Sequence, residues 1–215
     1  RGLMDPATLA IARSDLDRHT TNAYVAKAVP AIDGDTLTAA DIYDLFDSIP
    51  AGDKVTKTLL GLDASGTLPV YRYVFTPKVY RQTAIIVANI HGDGEGVVGG
   101  DAKVPAIALY HLLARTYLPE GQGERQPRHD HPLLEYLRHQ VQLVVIPVAN
   151  PYGFNNNTRQ NANGVDLNRN FDAAWSSGGS PGDENYPGAS PFSEVESQYI
   201  RDTMIAYPKA KVFLD

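Results

Sequence analysis

The sequence contains no cysteine among its 215 residues, and this absence excludes several kinds of chemistry at once. Disulfide bonds, thiolate zinc sites, iron–sulfur clusters and cysteine nucleophiles all require a thiol that this chain does not have. A metal ion bound by the chain must therefore be held by histidine or by carboxylate side chains.

The sequence also has few positive charges, with 19 basic against 25 acidic side chains and a formal net charge of −6. Nucleic-acid partners reward clustered lysine and arginine, so we expect none. No apolar run reaches the roughly 20 residues that a membrane-spanning helix needs. The first residues show no secretory signal pattern, so the sequence leaves the cellular location unassigned. Hydrophobic and charged contents of 43% and 20% are typical of a globular domain.

Two nearly continuous apolar runs, Ala84–Ile90 and Val141–Ala149, predict central strands that are buried on both faces of a sheet. Helical spacing over Val104–Leu118 lies between them, and another strand begins near Lys211. This alternation predicts an α/β fold with a mixed, centrally parallel sheet flanked by helices. We expect a single domain over 1–215.

Within that domain, residues 1–64 are expected to form an N-terminal helical and hairpin region, and residues 65–215 the core. Turn-forming residues at 63–66 predict the hairpin. Thr38 has the position of a helix N-cap. The spacing of Ser193 and Glu196 predicts a capping box for a later helix.

Three glycine-containing motifs match functional patterns only in part. The glycines at 61 and 66 have phosphate-loop spacing, but the motif has no lysine, so we expect a hairpin turn. Gly178-x-Ser180-x-Gly182 resembles a nucleophile elbow, yet Pro181 has no N–H for an oxyanion. Gly94-x-Gly96-x-x-Gly99 follows a predicted strand and precedes a helix, so a dinucleotide-binding protein stays as an alternative.

A candidate metal site lies at the end of the first apolar run. Binding sites in α/β sheets form beyond the carboxyl ends of the strands, where His91 and Asn150 are found. His91 is followed by a glycine-rich turn with Asp93 and Glu95. Neutral imidazole and carboxylate are ligands that suit Zn²⁺, although a polar strand end would show the same residues.

A candidate anion site follows the second apolar run. Arg159 and Arg169 bracket an asparagine-rich loop, and guanidinium groups match carboxylates through paired hydrogen bonds. These arginines, with Asn168, are suited to a substrate carboxylate. Alternatively, they pair with Asp166 and Asp172 within the loop.

The run RQNANGVDLNRNF at 159–171, with NPYGF at 150–154 and YPGASPFSEVE at 186–196, resembles the zinc carboxypeptidases of the carboxypeptidase A type. The resemblance covers about 65–215. It implies a zinc-carboxypeptidase/phosphorylase-like fold, a Zn²⁺ cofactor and hydrolysis of the C-terminal bond of peptides with a free carboxylate, such as cell-wall peptides. It also favours a secreted or cell-envelope location.

The resemblance also implies roles for individual residues. His91 and Glu95 would bind zinc, and Arg159 would polarise the scissile carbonyl. Asn168 and Arg169 would grip the terminal carboxylate of the substrate.

The sequence departs from the family pattern in two places. Gly94 occupies the position of the glutamate ligand, which leaves Glu95 or Asp93, and the longer Glu95 is favoured. The third ligand, a histidine, and the general-base glutamate are expected beyond Asp215, so we expect the chain to be C-terminally incomplete.

These departures leave a second hypothesis, a non-catalytic pseudoenzyme that binds carboxylates or peptides. Two ligands do not close a zinc site, so weak zinc binding is expected of these 215 residues alone. His129 and His131 are the available substitutes, but a solvated loop explains them more simply.

Overall fold

The computed structural model describes residues 37–92, 103–117 and 132–214. Its strands are β1 (Val55–Leu62), β2 (Pro69–Phe75), β3 (Gln82–Val87), β4 (Val141–Ile146) and β5 (Val212–Leu214). Its α-helices are α1 (Ala39–Asp47), α2 (Val104–Tyr117), α3 (Pro132–Gln140), α4 (Pro151–Asn156) and α5 (Val195–Ala206). Single 3₁₀ turns cover Gly52–Lys54 and Leu167–Arg169.

The five strands form one mixed sheet in the order β1-β2-β4-β3-β5. Strands β4, β3 and β5 run parallel to one another, whereas β2 is antiparallel to both β1 and β4. Every residue of β4 is buried, as expected for a central strand covered on both faces. The prediction of a mixed, centrally parallel sheet flanked by helices is therefore confirmed.

Two apolar clusters cover the two faces of the sheet. Helices α1 and α2 contribute Ile42, Phe46 and Leu113 to the first cluster, together with Phe75 of β2. The second cluster packs Ile200 of α5 against residues of β3 and β4. None of the described helices is long and apolar enough to cross a membrane.

The register of β3 and β4 brings the two candidate sites to one edge of the sheet. Val87 is paired with Ile146, and each is the last residue of its strand. His91 and Asn150 therefore both lie four residues beyond paired strand ends. Both strands end earlier than predicted. Asn89 has a left-handed backbone (φ 56°), which interrupts an extended chain, and Pro147 has no N–H to donate to a ladder.

The hairpin predicted around 63–66 is confirmed. The N–H of Gly66 donates to the carbonyl of Asp63, and β1 pairs with β2 on either side of this turn. The phosphate-loop spacing of the glycines at 61 and 66 therefore belongs to a hairpin.

Of the two predicted helix caps, the first is confirmed and the second is wrong. Thr38 accepts a hydrogen bond from the N–H of Asp41, whose carboxylate accepts in return from the N–H of Thr38. Helix α5 instead begins after Glu194, which makes no side-chain cap bond. The Ser193 hydroxyl does not cap the helix because it donates to the Glu194 carboxylate and accepts from Asn170.

The Thr38→Ala substitution is expected to lower the free energy of unfolding by about 1 kcal/mol, because it removes one half of a reciprocal cap. Thermal unfolding followed by circular dichroism measures this loss. Thr38→Ser keeps a hydroxyl acceptor and should behave almost like the parent. Equal losses in the two variants would show that the hydroxyl is not the stabilising group.

Candidate active site

Hydrogen bonds anchor the segment that carries His91 to the chain that follows β4. The N–H of Gly92 donates to the Thr158 carbonyl at 3.0 Å. The Asn150 side chain donates to the carbonyls of Ile90 and Arg159, each at 3.4 Å. The segment around His91 and the start of the asparagine-rich loop are therefore held side by side.

Asn150 also begins a short helix beyond the end of β4. Its side-chain oxygen accepts from the N–H of Gly153 at 2.9 Å, and Pro151 occupies the first helical position. An N-cap residue followed by proline is a common start of a helix, and here it begins α4. Asn150 is fully buried, so both ends of its amide serve to position the chain.

The carboxylate of Asp166 joins His91 to Arg159. One oxygen lies 2.8 Å from His91 Nε2 and 2.9 Å from the Asn168 N–H, which donates to it. The other oxygen accepts from Arg159 Nε at 3.0 Å and Nη2 at 2.7 Å. Arg159 Nε also donates to the Glu184 carbonyl at 2.9 Å. The predicted metal ligand and the predicted catalytic arginine therefore share one anion.

This cluster lies largely out of contact with water. Asp166 is fully buried, and Arg159 is 7% exposed. Burial alone would raise the pKa of Asp166, but hydrogen bonds from His91 and Arg159 outweigh it and hold that pKa below its usual value. Asp166 is therefore a stable anion beside an imidazole and a guanidinium.

Asp166 settles one alternative that the sequence left open. The structure pairs Arg159 with Asp166, whereas Arg169 has no ion pair with any residue in the described ranges. Asp166 itself was not assigned to the site from sequence. The sequence did place Asp166 between the two candidate arginines, which indicates a possible ion pair. Asp172 is also close to an arginine in sequence, so the sequence could not choose between the two aspartates.

Asn168 and Arg169 face solvent beside the buried cluster. They belong to the 3₁₀ turn whose first residue, Leu167, is buried in the second apolar cluster. Burying Leu167 directs its two successors outward, and both line a cleft of about 680 Å³. The remaining wall of this cleft comes from chain between Phe171 and Pro187.

The side-chain amides of the asparagine-rich loop form hydrogen bonds to other residues of the protein. Asn161 Nδ2 donates to Glu194 at 2.8 Å and to Glu196 at 3.2 Å, and Asn163 Nδ2 donates to Glu194 at 2.8 Å. Asn170 Nδ2 donates to the carbonyls of Pro187 and Ser190. The two glutamates were not predicted to contact this loop.

The Gly178-x-Ser180-x-Gly182 string, which resembles a nucleophile elbow, lies in an irregular loop. No strand precedes Ser180 in the described chain between Leu167 and Val195, and its N–H donates to the Asp183 carboxylate at 2.8 Å. The geometry therefore agrees with the expectation that this string is not a nucleophile elbow.

Comparison with known proteins identifies the family. A family model described as zinc carboxypeptidase matches residues 75–215. The chain belongs to the zinc carboxypeptidase family. Carboxypeptidase B of Helicoverpa zea is 37% identical over an 81-residue alignment that covers 28% of this chain and 19% of that protein.

Solved structures support the carboxypeptidase fold. Thrombin-activatable fibrinolysis inhibitor matches with a TM-score of 0.65 and 19% identity, over 95% of this chain and 52% of that one. Carboxypeptidase A from Helicoverpa armigera gives 0.63 and 20%, over 94% and 52%. This carboxypeptidase-family chain thus spans about half the length of these structures, and such low identities establish the shared fold.

The surroundings of His91 show whether this residue is suited to bind the zinc ion of the family. Its Nε2 is bonded to a buried carboxylate, the arrangement that orients metal-binding histidines in proteins. Several other candidate residues lie outside the described residues, namely Asp93, Glu95, His129, His131 and the glycines at 94, 96 and 99. Over 37–92, 103–117 and 132–214, no group of three or more histidines and carboxylates could hold a metal. His91 therefore fits zinc as one ligand of a larger set.

Proposed function

We propose that the protein is a zinc-dependent carboxypeptidase that removes the C-terminal residue of peptides. The buried His91–Asp166–Arg159 cluster beside the cleft of Arg169 carries this proposal, because it combines a metal-type histidine with two guanidinium groups. Family membership supports the reaction class. We further propose one α/β domain over 1–215, in which residues 65–215 carry the functional motifs.

His91 and Glu95 would hold the zinc ion, with Nδ1 as the imidazole nitrogen directed at the metal. When bound, zinc polarises a carbonyl group and lowers the pKa of water. Asp166 holds the His91 ring in one orientation and increases the basicity of its ligating nitrogen.

Arg159 would polarise the scissile carbonyl and stabilise the negative charge that develops on its oxygen. Asp166 and the Glu184 carbonyl fix the guanidinium in place, so little reorganisation is needed when charge develops. Burial strengthens this interaction because water does not screen it.

Asn168 and Arg169 would grip the terminal carboxylate in the cleft. Within the described ranges, the Arg169 side chain makes a single hydrogen bond, from Nη1 to the Asn168 carbonyl at 3.2 Å. Across the described chain, no carboxylate competes for this guanidinium. A peptide with a free C-terminus supplies that anion, whereas an internal peptide bond does not. The site is therefore suited to an exopeptidase.

Substituting Arg169 tests the anchoring role. Arg169→Ala is expected to raise KM for a peptide with a free C-terminus at least tenfold, because a charge-assisted hydrogen-bond pair contributes about 1.5–3 kcal/mol. Steady-state release of the terminal amino acid measures the change. Arg201→Ala, which removes a partly exposed arginine of α5, is the control and should leave KM unchanged. An unchanged KM in Arg169→Ala would contradict the anchoring role.

Two alternatives are distinguished by metal content and hydrolysis. A full-length pseudoenzyme would bind peptides through Arg169 but contain less than one zinc per chain and release no amino acid. A dinucleotide-binding protein would bind a dinucleotide such as NAD. No feature of the described residues supports this alternative. Stoichiometric zinc together with amino-acid release would support the carboxypeptidase over both.

A further inference from the structure

Two buried glutamates lie against the loop that carries Arg159 and Asp166. Glu194 is 6% exposed and Glu196 is 1% exposed. Their Oε2 atoms both accept from Nδ2 of Asn161, at 2.8 and 3.2 Å. Since both contact the same nitrogen, these two oxygens are no more than 6.0 Å apart.

Neutral donors supply the remaining bonds of the two carboxyl groups. Glu194 accepts from the Asn163 amide and the Ser193 hydroxyl, each at 2.8 Å. Glu196 accepts from the N–H of Ala64 at 2.9 Å. Neither forms an ion pair with an arginine, lysine or histidine in the part of the chain that the structure describes.

Two carboxylates at this distance, buried and without a positively charged partner among the described residues, would repel each other. Burial raises the pKa of Glu196, and the Glu194 carboxylate adds to the rise, against the hydrogen bonds from Ala64 and Asn161. Among the described residues, Asp63 and Tyr199 also lie near Glu196, and neither supplies positive charge at neutral pH. A single proton on the pair removes the repulsion.

The pair acts on the part of the loop that separates Arg159 from Asp166. Asn161 Oδ1 accepts from the N–H groups of Asn163 and Val165, each at 3.1 Å, which closes a tight turn. Its Nδ2 is committed to the two glutamates. The turn that sets the spacing of Arg159 and Asp166 is thus anchored on Glu194 and Glu196.

We infer that a protonated Glu196 and its neighbour Glu194 form a pair that positions Arg159 and Asp166 through Asn161, and that loss of the Glu196 proton displaces both residues. This inference rests on the proposed function. Because the folded state favours the proton on Glu196, the stabilisation is complete below pH 4.5, the ordinary value for glutamate, and is lost as the pH rises through the raised pKa.

Glu196→Gln tests the pair, since glutamine is permanently neutral and nearly isosteric with a protonated glutamate. In the parent, kcat/KM is expected to fall about 10- to 100-fold on the alkaline side as the catalytic arginine is misplaced. In Glu196→Gln, this fall in kcat/KM should be absent or should occur at a different pH. Asp202→Asn, a substitution of an exposed carboxylate on the same helix, should keep the parent profile. A purely structural role would lower activity evenly at all pH values.

A second measurement does not depend on activity. Carbon-13 NMR titration of the glutamate carboxyl groups is expected to show one group in the parent with a raised pKa, missing in Glu196→Gln. Parallel pH profiles in parent and variant, or only ordinary glutamate titrations, would overturn the inference. If no peptide is cleaved at any pH, the proposed function fails, and the NMR titration decides on the pair by itself.

Discussion

The Asp166→Asn variant is expected to lose about 3–5 kcal/mol of unfolding free energy. Asparagine has nearly the same shape, but it removes the negative charge that pairs with the Arg159 guanidinium, at a site where Arg159 is 7% exposed. Removing one partner of a buried ion pair costs far more than removing an exposed pair. Urea unfolding followed by circular dichroism measures the difference.

A neighbouring aspartate supplies the control for this variant. Asp172 is exposed and lies six residues further along the same loop, so Asp172→Asn should change the unfolding free energy by less than about 0.5 kcal/mol. Equal losses in the two variants would mean that the shared carboxylate is not what stabilises the cluster.

The pH dependence of this difference follows from the lowered pKa of Asp166. Its carboxylate is bound more tightly in the folded protein, so its stabilisation is present above pH 3.8, its ordinary value. The stabilisation is lost as the pH falls through the lowered value. Parent and Asp166→Asn should therefore converge in stability only in strong acid. A gap that stays constant down to pH 2 would contradict this assignment.

The Gly92→Ala variant is expected to be destabilised by about 3 kcal/mol and to displace His91. A methyl group at position 92 would overlap the carbonyl group of Gly153 and the amide nitrogen of Phe154. These are backbone atoms of the buried start of α4, which cannot turn aside as a flexible side chain can. Because Gly92 follows His91 directly, the movement needed to relieve the overlap falls on the predicted metal ligand. Zinc affinity and urea unfolding measure the two effects.

Gly66→Ala is the control for the cost of a methyl group without overlap. Gly66 has φ +71° and no atom within 4 Å of an added methyl. The expected cost is the strain of a left-handed backbone, about 1–2 kcal/mol, with no effect on zinc affinity. If Gly92→Ala were no worse than Gly66→Ala in stability and zinc affinity, the packing of Gly92 on Gly153 would not position His91.

The strands and α1 were predictable because their signals are local. Apolar runs such as Val141–Ala149 have few alternatives to a buried strand, and the cap of Thr38 needs only residues three positions apart. The strand ends were less accurate. The runs remain apolar beyond Val87 and Ile146, while Asn89 and Pro147 end the regular pairing for reasons of backbone geometry.

The partners within the site were beyond prediction from local signals. Arg159 could pair with either of two nearby aspartates, and only the path of the loop makes Asp166 the partner. The amide of Asn161 in the asparagine-rich loop binds Glu194 and Glu196, which lie more than 30 residues further along the chain. Charge and amide content therefore indicated a site without indicating its contacts.

The sequence by itself determined the kinds of chemistry available. Without cysteine, any metal must bind histidine and carboxylates, and the runs at 150–171 contain the residues that resemble a carboxypeptidase site. Tertiary structure alone decided which of these residues meet. The parallel register of β3 and β4 brings His91 beside Asn150, and the buried turn before Asp166 delivers one carboxylate to both His91 and Arg159. Such contacts depend on how distant segments pack, because a hydrogen bond requires atoms within about 3 Å and residue order sets no such distance.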